Sequence, residues 1–213
     1  VAIGPLRFGY KFILVGDHYQ LPPLVKNKFA QENGLQESLF ERLCRTHPQS
    51  VVELQEQYRM NQEIMSLSNI LIYEGKLRCG TNSVRDQRLE FPDNAVICKM
   101  ANETTLLHKL IDPNRPVVIF DHDAGWDENY GPEQCQEQND HGQICNVGEA
   151  RIVDQIVRKL LEYGIQDRQI GVMSMYKAQM SLLRTTFEDT NIEVLTADQF
   201  QGRDKDCIVV SMV

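Results

Sequence analysis

The sequence predicts an α/β fold built on parallel sheets, and three observations carry that expectation. Wholly apolar runs at Phe12–Val15 and Val117–Phe120 have the character of strands buried on both faces. Beyond Gly148, helical and strand periodicities alternate, which implies right-handed crossovers between parallel strands. The length of 213 residues and the 42% hydrophobic content suit one large domain or two small ones with an ordinary core.

Taken in order, Phe12–Val15 stops at Gly16 and places Asp17, His18 and Gln20 just past a strand tip, where open α/β sheets bind ligands. The Gln20 amide both donates and accepts, so it can contact a phosphate oxygen or an attacking water without adding charge. Pro22 and Pro23 stiffen the exit. Ser38 and Glu41 have the capping-box form and open a short helix through Leu43. Val51–Leu54 reads as a strand running into Gln57-Tyr58-Arg59-Met60, and Ile64, Met65, Leu67, Ser68, Leu71 and Ile72 recur at helical spacing until Gly75. Thr104–Ile111 is a short amphipathic piece and Val117–Phe120 a buried strand. Residues 121–147 are polar, the expected composition of an inserted loop or flap, with Trp126 as its anchor. Ala150, Ile152, Val153, Ile156, Val157, Leu160 and Leu161 then share one helical face, and Gly164 supplies the stop. A strand at Ile170–Tyr176, a helix at Lys177–Phe187, a strand at Ile192–Leu195, a loop or helix start at Thr196–Asp204 and a strand at Ile208–Val213 complete the series.

Composition removes several function classes. A formal net charge of −8 argues against a general nucleic-acid or membrane-surface binder, although a channel can be locally basic in an acidic protein. Six scattered cysteines form no C-x-x-C pair, so neither a zinc ribbon nor a disulfide scaffold is expected, and reduced thiols in an intracellular protein fit best. No apolar run approaches the roughly 18 residues of a membrane span. Asp121, His122, Asp123, Cys135, His141 and Cys145 could be drawn as a metal cluster, but their spacing matches no familiar site, so no metal site is expected. The chain opens without a methionine and closes inside an apolar run, and it reads as a segment of a longer protein.

Three segments stand apart from ordinary connections. The first is the strand tip carrying Gln20. The second is Gln57–Met60, where Arg59 offers a planar fork of donors matched to phosphate oxygens, or else pairs with an acidic neighbour at a domain seam. The third runs from Thr196 to Asp204; Gly202 permits close backbone approach to a ligand, and Asp204 can bond a ribose hydroxyl or orient Arg203.

In this order the segments resemble motifs III, IV and V of superfamily 1 helicases of the nonsense-mediated-decay type, which read G-D-x-x-Q-L-P-P, Q-Y-R-M and T-x-D-x-F-Q-G-x-[DE]. The chain has Gly16 to Pro23, Gln57 to Met60 and Thr196 to Asp204 in those places. The wider stretches Val15–Val25, Gln57–Asn69 and Tyr73–Leu77 are similar to the helicase region of eukaryotic nuclease-helicases that process Okazaki flaps and resect DNA ends. Residues 80–147 carry little of the likeness.

The resemblance implies RecA-like P-loop NTPase domains: the C-terminal part of a first at 1–56 and a second, nearly complete but C-terminally truncated, at 57–213. It implies that Gln20 couples the γ-phosphate to the nucleic-acid site, that Arg59 is an arginine finger reaching ATP from the second domain, and that Tyr58 stacks on adenine. Gly202 and Asp204 match the pair near triphosphate and ribose, and Thr196 belongs to a loop touching the nucleic-acid backbone. Tyr176-Lys177-Ala178-Gln179 stands where the family usually has a Pro-Tyr-Arg-Gln-Gln motif, with Met175 and Lys177 departing from it. ATP and Mg²⁺, single-stranded or flap DNA, 5′-to-3′ movement, a single-strand-binding partner and a nuclear, also mitochondrial, location follow from the same likeness. An iron-sulfur cluster would belong to the nuclease domain of the full-length protein. An RNA helicase of this superfamily and a degenerate binding module are the alternative readings.

The chain contains no G-x-x-x-x-G-K-[ST] and no Asp-Glu pair after an apolar strand, so the groups that hold phosphates and Mg²⁺ are expected outside it. The 213 residues alone are expected not to hydrolyse ATP.

Overall fold

The computed structural model describes residues 3–93, 105–121, 136–138 and 144–213. Ser38 caps α1 (Leu39–Thr46) by accepting a hydrogen bond from the Glu41 amide at 3.0 Å, as the capping box implies, and the helix runs to Thr46 rather than Leu43. The short strands β1 (Glu56–Gln57) and β2 (Arg78–Cys79) pair in parallel on either side of α2 (Gln62–Leu71). Asn61 caps α2, its Oδ1 accepting from the Ile64 amide at 3.0 Å. Helix α3 (Leu106–Leu110) has Thr105 at its N-cap, and β3 (Gln136–Gln138) pairs antiparallel with β4 (Ile144–Asn146). The series then runs α4 (Val147–Glu162), β5 (Ile170–Ser174), α5 (Lys177–Thr186), β6 (Glu193–Leu195), α6 (Ala197–Phe200) and β7 (Cys207–Ser211).

The last of these elements make a parallel sheet in the order β6-β5-β7, with Val172 opposite both Val194 and Val209. The α/β class with parallel strands therefore stands. Helix α4 packs against β7 and α5, and α5 packs against β5 and β6, which is why β5 is apolar along almost its whole length. Val157, Ile170, Val172 and Leu183 are wholly buried, each contributing about 1.5–3 kcal/mol of hydrophobic stabilisation. The helical face predicted from Ala150 to Leu161 is the one that packs, and Gly164 ends the element with φ +89°.

One buried polar group ties this unit together. Gln179, fully buried on α5, accepts from the Asn146 amide at 2.7 Å through Oε1, while Nε2 donates to the Asn146 carbonyl at 3.1 Å and to Ser211 Oγ at 3.0 Å. The amide thus joins the start of α4, the first turn of α5 and the end of β7. Glu149 reinforces the same corner by accepting the Met212 and Val213 amides at 2.6 and 2.8 Å.

Three predicted strands do not form. Phe12–Val15 is irregular, with Ile13 90% and Val15 86% exposed. Val51–Leu54 is irregular too, and pairing begins only at Glu56. Val117–Phe120 takes no strand conformation and borders an open groove that Ile208–Val210 of β7 also lines. An apolar run makes a segment strand-competent, but a strand exists only where a second segment supplies the other half of the ladder. The polar stretch at 121–147 is also not loop throughout, since β3, β4 and the first residue of α4 fall within it. Of the residues considered there for a metal, Asp121 and Cys145 are described; His122, Asp123, Cys135 and His141, like Trp126, lie outside the described residues. Among the described residues no helix is long and apolar enough to cross a membrane.

Candidate functional site

The Gln57–Met60 loop is shaped by its own first side chain. Gln57 Oε1 accepts the Arg59 amide at 2.9 Å and the Met60 amide at 2.8 Å, while Nε2 donates to the Met60 carbonyl at 2.7 Å and to Cys79 Sγ at 3.2 Å. With β1 paired to β2, this brace turns Tyr58 and Arg59 outward. Tyr58 is 62% exposed, and its hydroxyl donates to Glu56 Oε2 at 3.1 Å. That bond, joined by the negative charge of Glu56, pushes the phenol pKa above its ordinary value.

Arg59 meets Asp204. Its Nε lies 2.6 Å from Asp204 Oδ1, joining two candidate site residues far apart in sequence, and both side chains remain largely exposed. Asp204 pairs with Arg59 and not with Arg203; Arg203 and Lys205 both pair with Glu193, and these bonds, that of Lys205 foremost, hold the Glu193 carboxyl below its usual pKa. Gly202 has φ +80° with open space around it, so its conformation, not crowding, calls for glycine.

The Gly16–Gln20 segment, expected at a strand tip, forms a separate cluster. Asp17 accepts from the Tyr19 amide at 3.0 Å, from Gln20 Nε2 at 3.0 Å and from the Tyr73 hydroxyl at 2.6 Å. Burial works to raise the Asp17 pKa, but the bonds from Tyr73, Tyr19 and Gln20, with His18 nearby, outweigh it and leave the carboxyl below its ordinary value. Tyr73 follows the C-terminal end of α2, whereas Arg59 precedes its N-terminal end, so a rod of about 15 Å separates the two. No hydrogen bond joins Gln20 to Tyr58, Arg59 or Asp204 among the described residues.

The third group occupies the carboxyl edge of the β6-β5-β7 sheet. Thr196 follows β6, and Tyr176 and Lys177 follow β5, at neighbouring strand ends. Thr196 donates to Asp198 through its hydroxyl, and its amide donates to Gln199 Oε1 at 3.2 Å, which opens α6. The Tyr176 amide donates to Ser174 Oγ at 3.3 Å, while Lys177 extends into solvent. Because β6 and β7 run parallel, the segment from Thr196 to Asp204 crosses from the carboxyl edge of the sheet to its amino edge.

A family model described as an AAA domain matches residues 35–213, most of the chain. The chain belongs to this AAA domain family. Along its whole length it is also similar to three proteins described as DNA replication ATP-dependent helicase/nuclease. It is 47% identical to DNA2 of Saccharomyces cerevisiae, 43% identical to JHS1 of Arabidopsis thaliana and 37% identical to DNA2 of Homo sapiens. It covers 14%, 15% and 20% of those proteins respectively. The likeness to superfamily 1 helicases carried by the three motifs agrees with these relatives.

Two positions in this AAA domain escape a reading of side-chain chemistry. Gln57 is the first letter of Q-Y-R-M, yet its work is to build the loop. Gly171 sits inside β5, where a Cβ would come within 2.7 Å of Phe200 Cζ; only glycine lets that ring seat against the strand and fix the start of the Gln201–Asp204 turn. An unexplained glycine inside an apolar strand was the available signal.

Proposed function

We propose that the protein carrying this chain is an ATP-driven DNA helicase and translocase of replication and repair, moving 5′ to 3′ on single-stranded or flap DNA in the nucleus and joined to a nuclease. The observation that carries this reading is the meeting of Arg59 with Asp204 beside the exposed ring of Tyr58. A flat aromatic face, a guanidinium and a carboxylate are what the base, the phosphates and the ribose hydroxyl of a nucleotide need from one side of a cleft.

Residues 1–56 supply the end of one RecA-like lobe and 57–213 most of a second. Gln20 belongs to the first and Tyr58, Arg59, Gly202 and Asp204 to the second. The Arg59–Asp204 pair holds the guanidinium until the ribose hydroxyl engages Asp204; Arg59 then turns to the phosphates, and closure of the lobes brings Gln20 to the same triphosphate, where its amide orients the attacking water. Thr196, Tyr176 and Lys177, at the other edge of the sheet, hold the strand. The ligands of Mg²⁺ and of any iron-sulfur cluster are assigned outside these residues, and the 213 residues alone supply no hydrolysis.

The test is ATP hydrolysis by the intact protein with and without single-stranded DNA. Arg59→Ala should lower the DNA-stimulated kcat by about 10³-fold, in the range of other arginine fingers. Full activity in this variant overturns the reading.

A further inference from the structure

Beneath the Tyr58 ring lies Gly80, the residue after β2. A Cβ built on Gly80 would fall 2.2 Å from Tyr58 Cζ, 2.3 Å from Cε1 and 2.7 Å from the hydroxyl oxygen, so the ring lies directly against the Gly80 backbone. The Gly80 amide is itself fixed, donating to the Gln57 carbonyl at 2.9 Å in continuation of the β1–β2 ladder. Gly80 does not have a left-handed φ, so the glycine is not called for by a positive φ; the nearest obstacle to a side chain is the ring. Glu56 holds the same ring at its far edge through the hydroxyl. The ring is thus seated on one face, pinned at its tip and open on the other.

We propose that Gly80 is a positioning residue for nucleotide binding: it is the shelf that holds Tyr58 flat, so that the open face of the ring is presented to a planar base. The inference rests on the stacking role given to Tyr58 above. It assigns a function to a residue outside the three motifs and with no side-chain chemistry of its own. A methyl group at position 80 lifts the ring off its seat without touching the ligand.

In the intact protein, Gly80→Ala should raise the KM for ATP about 5- to 30-fold, corresponding to the loss of much of one base–aromatic stack. DNA-stimulated kcat should stay within about twofold, because the phosphate groups are untouched. The melting temperature should not fall, since Tyr58 moves into solvent and alanine restricts the unfolded chain more than glycine does. A merely structural role predicts the reverse, a lower melting temperature with KM unchanged, and overturns the proposal. Tyr58→Ala should raise KM by at least as much, and Gly80→Ala added to it should change nothing further; effects that multiply overturn the proposal. Should Tyr58→Ala raise KM while Gly80→Ala does not, the shelf alone is refuted. Should neither move KM, the stacking role itself falls with it.

Discussion

Removal of the buried amide at position 179 gives the most demanding test of how this molecule is held together. Gln179→Leu keeps the volume and deletes three hydrogen bonds, two to the Asn146 backbone and one to Ser211, in a place with no solvent exposure. Leaving a buried polar group unpaired costs about 1–3 kcal/mol, and the groups stranded here are the Asn146 amide and carbonyl and the Ser211 hydroxyl. Part of that loss is recovered if the hydroxyl rotates and the helix start relaxes, so the expected net destabilisation is about 3–5 kcal/mol. For a unit of this size that corresponds to a fall in melting temperature of roughly 6–20 °C. The assay is thermal unfolding of the intact protein together with amide hydrogen exchange at residues 144–150, where protection at Asn146 should drop in Gln179→Leu. Gln179→Glu can still accept the Asn146 amide but cannot donate to the Asn146 carbonyl, so protection at Asn146 should fall less than in Gln179→Leu. Unchanged stability and protection in Gln179→Leu would refute the claim that this network joins α4, α5 and β7.

Two further expectations follow from electrostatics. The Asp17 carboxyl should titrate below its ordinary value, so the Tyr73 link is intact above the unfolded-state pKa and disappears as pH falls through the lowered one; Tyr73→Phe should move the Asp17 carboxyl resonance to a higher midpoint, and no movement would show that the bond at 2.6 Å is not what holds it. Burial pushes the Cys207 thiol up to about 11, so at pH 8 only about one thiol in a thousand is ionised, and Cys207 should be alkylated far more slowly than Cys44, as peptide mass mapping can measure.

How much of this was legible in the sequence depends on whether a feature is local. Helix α4 was readable because its apolar face recurs within one turn, and Ser38 with Glu41 announces α1 from neighbouring residues. The strands β5, β6 and β7 were readable because helices on either side of them supply the alternation. Phe12–Val15, Val51–Leu54 and Val117–Phe120 looked equally strand-like, yet pairing is a property of two segments, and none of these runs says where a partner would be. The same limit governs the site. Tyr58, Arg59 and Asp204 could be named from motif chemistry, and the structure adds that Arg59 and Asp204 touch. Gln57 works on the backbone of its own loop and Gly80 and Gly171 against a ring brought from another segment, so none of the three contacts can be named before the chain is folded.

The seat of Phe200 on Gly171 has a mechanical consequence. It gives the short helix α6 a fixed footing, with Thr196 before it and the Gln201–Asp204 turn after it. Any side chain at position 171 would push that ring off the strand and carry both neighbours with it, so one glycine holds the alignment of two otherwise separate pieces of chain.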